Sequence, residues 1–147
     1  MSTPIWFKDV PLAAGNARGA GSLIAHLGIE LLEAGPDYLK GRMPVDARTV
    51  QPAGVLHGGA SVALAETLAS WAATFVVDPA QHYCVGLEIN ANHTRAVRDG
   101  DVIGTARALH LGRRTQVWEV LIHDDAGRLA CVSRVTMAVL DGANPYL

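Results

Sequence analysis

The chain has 147 residues, is half hydrophobic and 18% charged, and carries a net charge of −2. That length fits one domain with a core of its own, and the composition is globular rather than disordered. A mildly acidic balance with no dense Lys/Arg run argues against nucleic acid or an anionic membrane as the main partner, so a basic site for a phosphorylated ligand must be small and local.

The opening residues, MSTPIWFKDV, have neither a basic nor an apolar leader region, and no targeting segment is expected. Residues 1–24 show no clear period, and AAGNARGAG reads as a flexible or loosely docked lead-in. One domain is expected over 25–141, with a short tail over 142–147. In HLGIELLEAGPDYLKGRMPV the GPD triplet supplies turn chemistry. Leu39, Gly41, Met43 and Val45 alternate with polar or aromatic neighbours, which predicts strand–turn–strand. The stretch DARTVQPAGVLHGG is loop-like and closes on glycines.

From Gly58 to about Val77 the chain is apolar, lacks a period of two and is too long for a strand, which predicts a helix. It is also long enough to suggest a membrane span, but Ser61, Glu66, Thr67, Ser70 and Thr74 inside it, and the strands that follow, argue for a soluble core helix. Glu66, Ser70 and Thr74 stand at four-residue steps with Thr67 beside them, so four of these five polar residues form one stripe on a helix otherwise wrapped by other structure. After VDPAQ the chain reads as about four strands. In GLEINANHTRAV the residues Leu87, Ile89 and Ala91 share a face with His93 and Arg95, and TQVWEVLIHDDAGRLACVSRVTMAVL reads as a hairpin bent at DDAG. The order of two strands, one long helix and four strands predicts an α+β fold, an antiparallel sheet curled around one buried helix.

Glu66 raises the functional question, because no Lys or Arg lies within eight residues on either side of it. An unpaired ionised carboxylate in an apolar helix is costly, so it must be protonated, bonded by neighbours such as Ser70 and Thr67, or exposed at a groove or subunit interface. Just ahead of it, Gln51, His57, Gly58 and Gly59 lead into the helix. Glycines there leave amides uncovered at the positive end of the dipole, which is what an oxyanion hole requires. Glu66 lies about 12 Å further along the axis, too far for one helix to hold a carbonyl against both. If Gly58 and Glu66 act together, they come from two chains of a symmetric oligomer.

The remaining candidates divide between structure and function. His93 and His110 end strand segments near Arg95 and near Arg113–Arg114. The turn HLGRRTQVW is either a charged hairpin loop or a phosphate clamp, and with Arg95 it could hold one anionic, nucleotide-like tail. No histidine pair has metal-ligand spacing, and neither a metal nor a cofactor is expected. Cys84 and Cys131 lie far apart, which suggests buried free thiols in a reducing, cytoplasmic setting.

QPAGVLHGGASVALAETLAS and GLEINANHTRAVRDGDVIGTARALHLGRRTQVWE together resemble the hotdog-fold acyl-CoA thioesterases. The resemblance is to the phenylacetate-type branch, with its glutamate-type 4-hydroxybenzoyl-CoA thioesterases and 1,4-dihydroxy-2-naphthoyl-CoA hydrolases. It implies a hotdog fold paired into dimers and usually tetramers, and hydrolysis of an acyl-CoA, aromatic by first expectation. It implies Glu66 as nucleophile or general base, Gln51, His57 and Gly58 of the other subunit at the substrate carbonyl, and Ser70 positioning water or substrate. Gly86, His93, Thr94, Arg95, Ala96 and the run His110, Leu111, Gly112, Arg113, Arg114 and Thr115 would line the coenzyme A channel. Trp71 departs from the smaller side chain expected beside Ser70, and either narrows the acyl pocket or belongs to the core. A hotdog enoyl-CoA hydratase or a non-catalytic acyl-CoA-binding module are the alternatives. The Asp and His pair of such hydratases is not found here.

Overall fold

A computed structural model describes residues 3–147. The elements are α1 (Leu12–Arg18), α2 (Leu23–His26), β1 (Glu30–Ala34), β2 (Tyr38–Pro44), α3 (Gly58–Val76), β3 (His82–His93), β4 (Asp101–Leu111), β5 (Thr115–Asp124) and β6 (Leu129–Asp141). The strands form one antiparallel sheet in the order β1-β2-β4-β5-β6-β3, so β1 and β3 are its edges. This is the α+β architecture expected from the sequence.

Alternation decides which side of the sheet meets the helix. Leu39, Gly41 and Met43 of β2, Val102, Gly104 and Ala106 of β4, and Trp118, Val120 and Ile122 of β5 are all buried. Against them α3 sets Leu64, Ala65, Leu68, Ala69, Ala72 and Ala73, each fully buried. The small residues let the helix lie close to the curled sheet, and α3 packs on β2, β3, β4, β5 and β6. By length and composition α3 could cross a membrane; in this fold its apolar face is the core of the sheet.

One knob fixes the seat of the helix. Gly41 and Gly104 face each other across β2 and β4. A Cβ on either would stand 2.6 Å from a terminal carbon of Leu68. The two glycines make the hole that Leu68 fills, and this sets the depth and rotation of α3 and hence the direction of its polar stripe.

Of the two readings of the lead-in, flexible or loosely docked, the structure has it docked, and residue 24, where it was expected to end, falls inside α2. The amides of Ile5 and Phe7 donate to the Pro36 and Phe75 carbonyls, and Trp6 donates its indole N–H to the Gly35 carbonyl at 2.7 Å. The Asn16 side chain donates to the Leu31 carbonyl and accepts from the Leu31 amide, closing part of the β1 edge. Seven residues of helix are too few to print a period, and the partners lie far off in sequence, so the composition concealed this. The tail is anchored likewise, with the Gly142 and Asn144 amides on the carbonyls of Gln81 and Pro79.

Gly41→Ala is expected to destabilise the protein by about 1–3 kcal/mol through overpacking. It should do so more than Gly104→Ala, because the new methyl at 41 also meets the Glu30 carbonyl oxygen at 2.9 Å, whereas at 104 it meets only movable side-chain ends. Urea midpoints of the two variants at equal m-value check the order.

Candidate active site

The loop before α3 is held by its own backbone. The buried Thr49 hydroxyl donates to the Pro44 carbonyl at 2.7 Å, and the His57 and Leu56 amides donate to the carbonyls of Thr49 and Val97. His57 is thereby fixed as the N-cap of α3, where its Nδ1 accepts the Gly59 amide at 2.8 Å. The expectation of two uncovered glycine amides is therefore corrected. His57 occupies that of Gly59, the amides of Ala60 and Ser61 turn back to the His57 carbonyl, and the Gly58 N–H alone is left without a partner among the described residues. With Nδ1 accepting, a neutral His57 carries its proton on the outward Nε2 and can donate it.

Around that free amide lies a cavity of about 410 Å³, lined by Gln51, Gly58, Ser61, His93, Thr94, Arg95 and Ala96 among others. The His93 imidazole leans on Gly58, where a Cβ would stand 2.9 Å from its Nε2. The Gln51 side chain accepts the Ala53 amide, which leaves its NH₂ as the unspent donor. His57 stands at the rim, exposed, and does not line the cavity.

Glu66 stands in a different cavity, of about 400 Å³, with Thr67, Ser70, Trp71, Thr74 and Cys84. Its carboxylate makes no hydrogen bond or ion pair with any described residue and is exposed in the single protomer, so the groove alternative for this residue is the realised one. Neither Ser70 nor Thr67 caps it; the Ser70 hydroxyl points to the Met137 sulfur at 4.0 Å. What the carboxylate touches is Gly86 on the edge strand β3, where an added Cβ would stand 2.7 Å from Oε1. Cys84 is no rival nucleophile, because burial pushes its thiol up to about 11 and it is protonated at neutral pH. Trp71 is half-buried, stacked on Phe75 at 5.4 Å, and forms part of the Glu66 cavity wall.

Within one protomer the two groups of candidates stay apart. The basic spots do as well: the Thr94 amide bonds to Ala130 on β6, whereas the Val139 amide bonds to the Arg114 carbonyl, nine residues along the same strand and about 30 Å away. Arg95 and the His110–Thr115 turn are thus at opposite ends of the sheet, and no single chain clamps one anionic tail with both. Arg114 also pairs with Asp141 at 3.0 Å. The expected alternation along β3 fails at Leu87, which a bulge between Gly86 and Glu88 leaves unpaired and exposed.

Sequence reasoning missed part of the Glu66 wall. Arg18, Ser22, Ile24, Asn144 and Tyr146 reach it from the two ends of the chain, and their packing is non-local, without period or motif. Among the described residues no group of His, Cys, Asp and Glu could hold a metal ion.

Comparison with known proteins gives the family. Residues 53–131, which include the Gly58 amide and Glu66, match the model of the thioesterase superfamily. The proofreading thioesterase EntH of Cronobacter turicensis is 51% identical over 92% of this chain and 98% of its own, and the 1,4-dihydroxy-2-naphthoyl-CoA hydrolase of Escherichia coli is 49% identical over 92% and 99%. A crystal structure of a mutant thioesterase PA1618 from Pseudomonas aeruginosa superimposes with a TM-score of 0.92 at 47% identity, covering 93% of this chain and 99% of that one. The chain belongs to the thioesterase superfamily and is a hotdog-fold thioester hydrolase.

Proposed function

We propose that the protein hydrolyses an acyl-CoA, with an aromatic acyl group, at a site shared by two protomers: the Glu66 carboxylate of one and the Gly58 amide of the other. One observation carries this reading. Glu66 rests on Gly86 and Gly58 on His93, and both contacts lie on β3, a free sheet edge of twelve residues. A long unpaired edge is a template for a second strand. Two β3 edges pairing antiparallel about a two-fold axis between Ile89 and Asn90 exchange Gly86 with His93. That symmetry carries Glu66 of each chain toward the free amide of the other. It also brings the His110–Thr115 turn, which lies across β5 and β6 near Gly86, to the side where Thr94, Arg95 and Ala96 stand in the second chain. The separated basic spots then serve one coenzyme A.

In this arrangement the thioester oxygen accepts from the Gly58 N–H at the positive end of α3, with the Gln51 NH₂ and His57 Nε2–H as further donors. Negative charge developing on that oxygen is stabilised by groups already oriented. Glu66, ionised, either attacks the carbonyl carbon, expelling CoA thiolate and leaving a mixed anhydride that water cleaves, or takes a proton from the water that attacks. Both routes end in a carboxylic acid and CoA thiol. Ser70, one turn beyond Glu66, positions that water or the substrate. The aromatic class is carried over from the named activity of the Escherichia coli relative, and the indole face of Trp71 provides a flat wall for a ring.

Glu66→Gln is expected to fold normally and to lose at least a hundredfold in thiol release from aryl-CoA esters, while Cys84→Ala keeps wild-type turnover. A Glu66→Gln enzyme within threefold of wild type would remove the carboxylate from the chemistry.

The amide can be deleted without moving the helix. Gly58 is the first residue of α3, where proline is favoured, and His57 before it is extended at φ −69° and ψ 130°, as a residue preceding proline must be. Gly58→Pro is expected to lower kcat by about 10²–10³. Gly58→Ala pushes on His93 in the same way but keeps the N–H, and should stay within about tenfold of wild type. Equal losses in both variants would mean that crowding at His93, and not the hydrogen bond, matters.

A further inference from the structure

The Glu66 cavity holds a second charged side chain for which hydrolysis has no use. Among the described residues, Arg18 and Glu66 are the only charged side chains lining it. Arg18 is the last residue of α1, outside the region matched by the superfamily model, and its guanidinium makes no ion pair or hydrogen bond with a described residue. Together with Trp71, Thr74 and Leu147 it also lines an adjoining cavity of about 350 Å³ whose further walls include Phe7, Ala14 and Phe75. Arg18 therefore stands where the two cavities meet.

The polar stripe of α3 gives the direction. From Glu66 through Ser70 to Thr74 it runs about 12 Å along the helix, with the Trp71–Phe75 stack alongside. An acyl group whose thioester sits at Glu66 and whose ring lies along this stripe has its far end at Thr74 and Arg18. A guanidinium is always ionised and presents a fork of donors. An apolar end placed under it strips water from donors and offers nothing in return, whereas an oxygen acceptor there replaces the lost water. The helix end alone does not call for arginine, because a lysine at the C-terminus of α1 would serve the dipole equally.

We infer that Arg18 is a specificity-determining residue, selecting acyl groups that carry an oxygen acceptor, a hydroxyl or carboxylate, at the end remote from the thioester, over apolar groups of the same shape. This rests on the aryl-CoA reading above and goes further in naming which aryl groups are taken.

The test compares kcat/KM for two naphthoyl-CoA esters that differ only in a hydroxyl or a methyl on the distal ring, using the wild type, Arg18→Met and Arg18→Lys. Wild type is expected to favour the hydroxyl ester by about tenfold. Arg18→Met should bring the ratio close to one without loss on the methyl ester, and Arg18→Lys should restore part of the preference. An unchanged ratio in Arg18→Met, an equal fall on both esters, or a wild type that favours the methyl ester each overturns the role of Arg18 while leaving the hydrolase reading intact. Wild type releasing thiol from neither ester, but from straight-chain esters, overturns the aromatic assignment and this inference with it.

Discussion

The site depends on how α3 is seated. Leu68 in the hole between Gly41 and Gly104 fixes the rotation of the helix, and that rotation sends Glu66 outward at the β3 edge while Leu64, Ala65 and Ala69 go into the core. The same helix offers one unpartnered amide at its start. An amide and a carboxylate eight residues apart on a rigid rod cannot meet on one chain, and no side-chain rotation closes about 12 Å. If the two act on one substrate, as proposed, the need for a second protomer follows from helix geometry before any partner is considered.

The edge strand answers that need. Proteins usually blunt a long free edge, and β1 is blunted here by Asn16 clasping Leu31. Among the described residues β3 carries no such cover, and it exposes Leu87 at its bulge. On β3, Gly86 and His93 each touch one of the two groups proposed to act together. Gly86 has a further consequence, since any side chain there would occupy the space of the Glu66 carboxylate. In the proposed dimer the edge that joins two copies is also the surface on which the site is assembled.

Much of this was legible in the sequence because it is written in local patterns. Alternation in β2 and the polar stripe of α3 name their buried faces directly, and a carboxylate without a cation nearby in an apolar helix singled out Glu66 as a candidate, which the structure places at a cavity. The parts that were not legible depend on distant partners. Nothing local to Asn16 announces that its side chain pairs with Leu31, so whether the lead-in is flexible or docked stayed open in the sequence. His57 as the cap of its own helix took one of two glycine amides out of play, which only the side-chain geometry could settle. Arg95 and Arg113–Arg114 read as two basic spots for one ligand tail, and sequence distance hides that they lie at opposite ends of one chain's sheet. Arg18 belongs to the Glu66 cavity through the packing of a seven-residue helix, and no motif surrounds it.

The proposed shared site makes one demand that a site within a single chain does not. In a mixed dimer of a Glu66→Gln chain and a Gly58→Pro chain, one of the two sites receives both substitutions and the other receives neither. Thiol release measured on purified mixed dimers should recover to about half of the wild-type rate, although each variant alone is nearly inactive. Mixed dimers no more active than either parent would contradict a site built from two protomers.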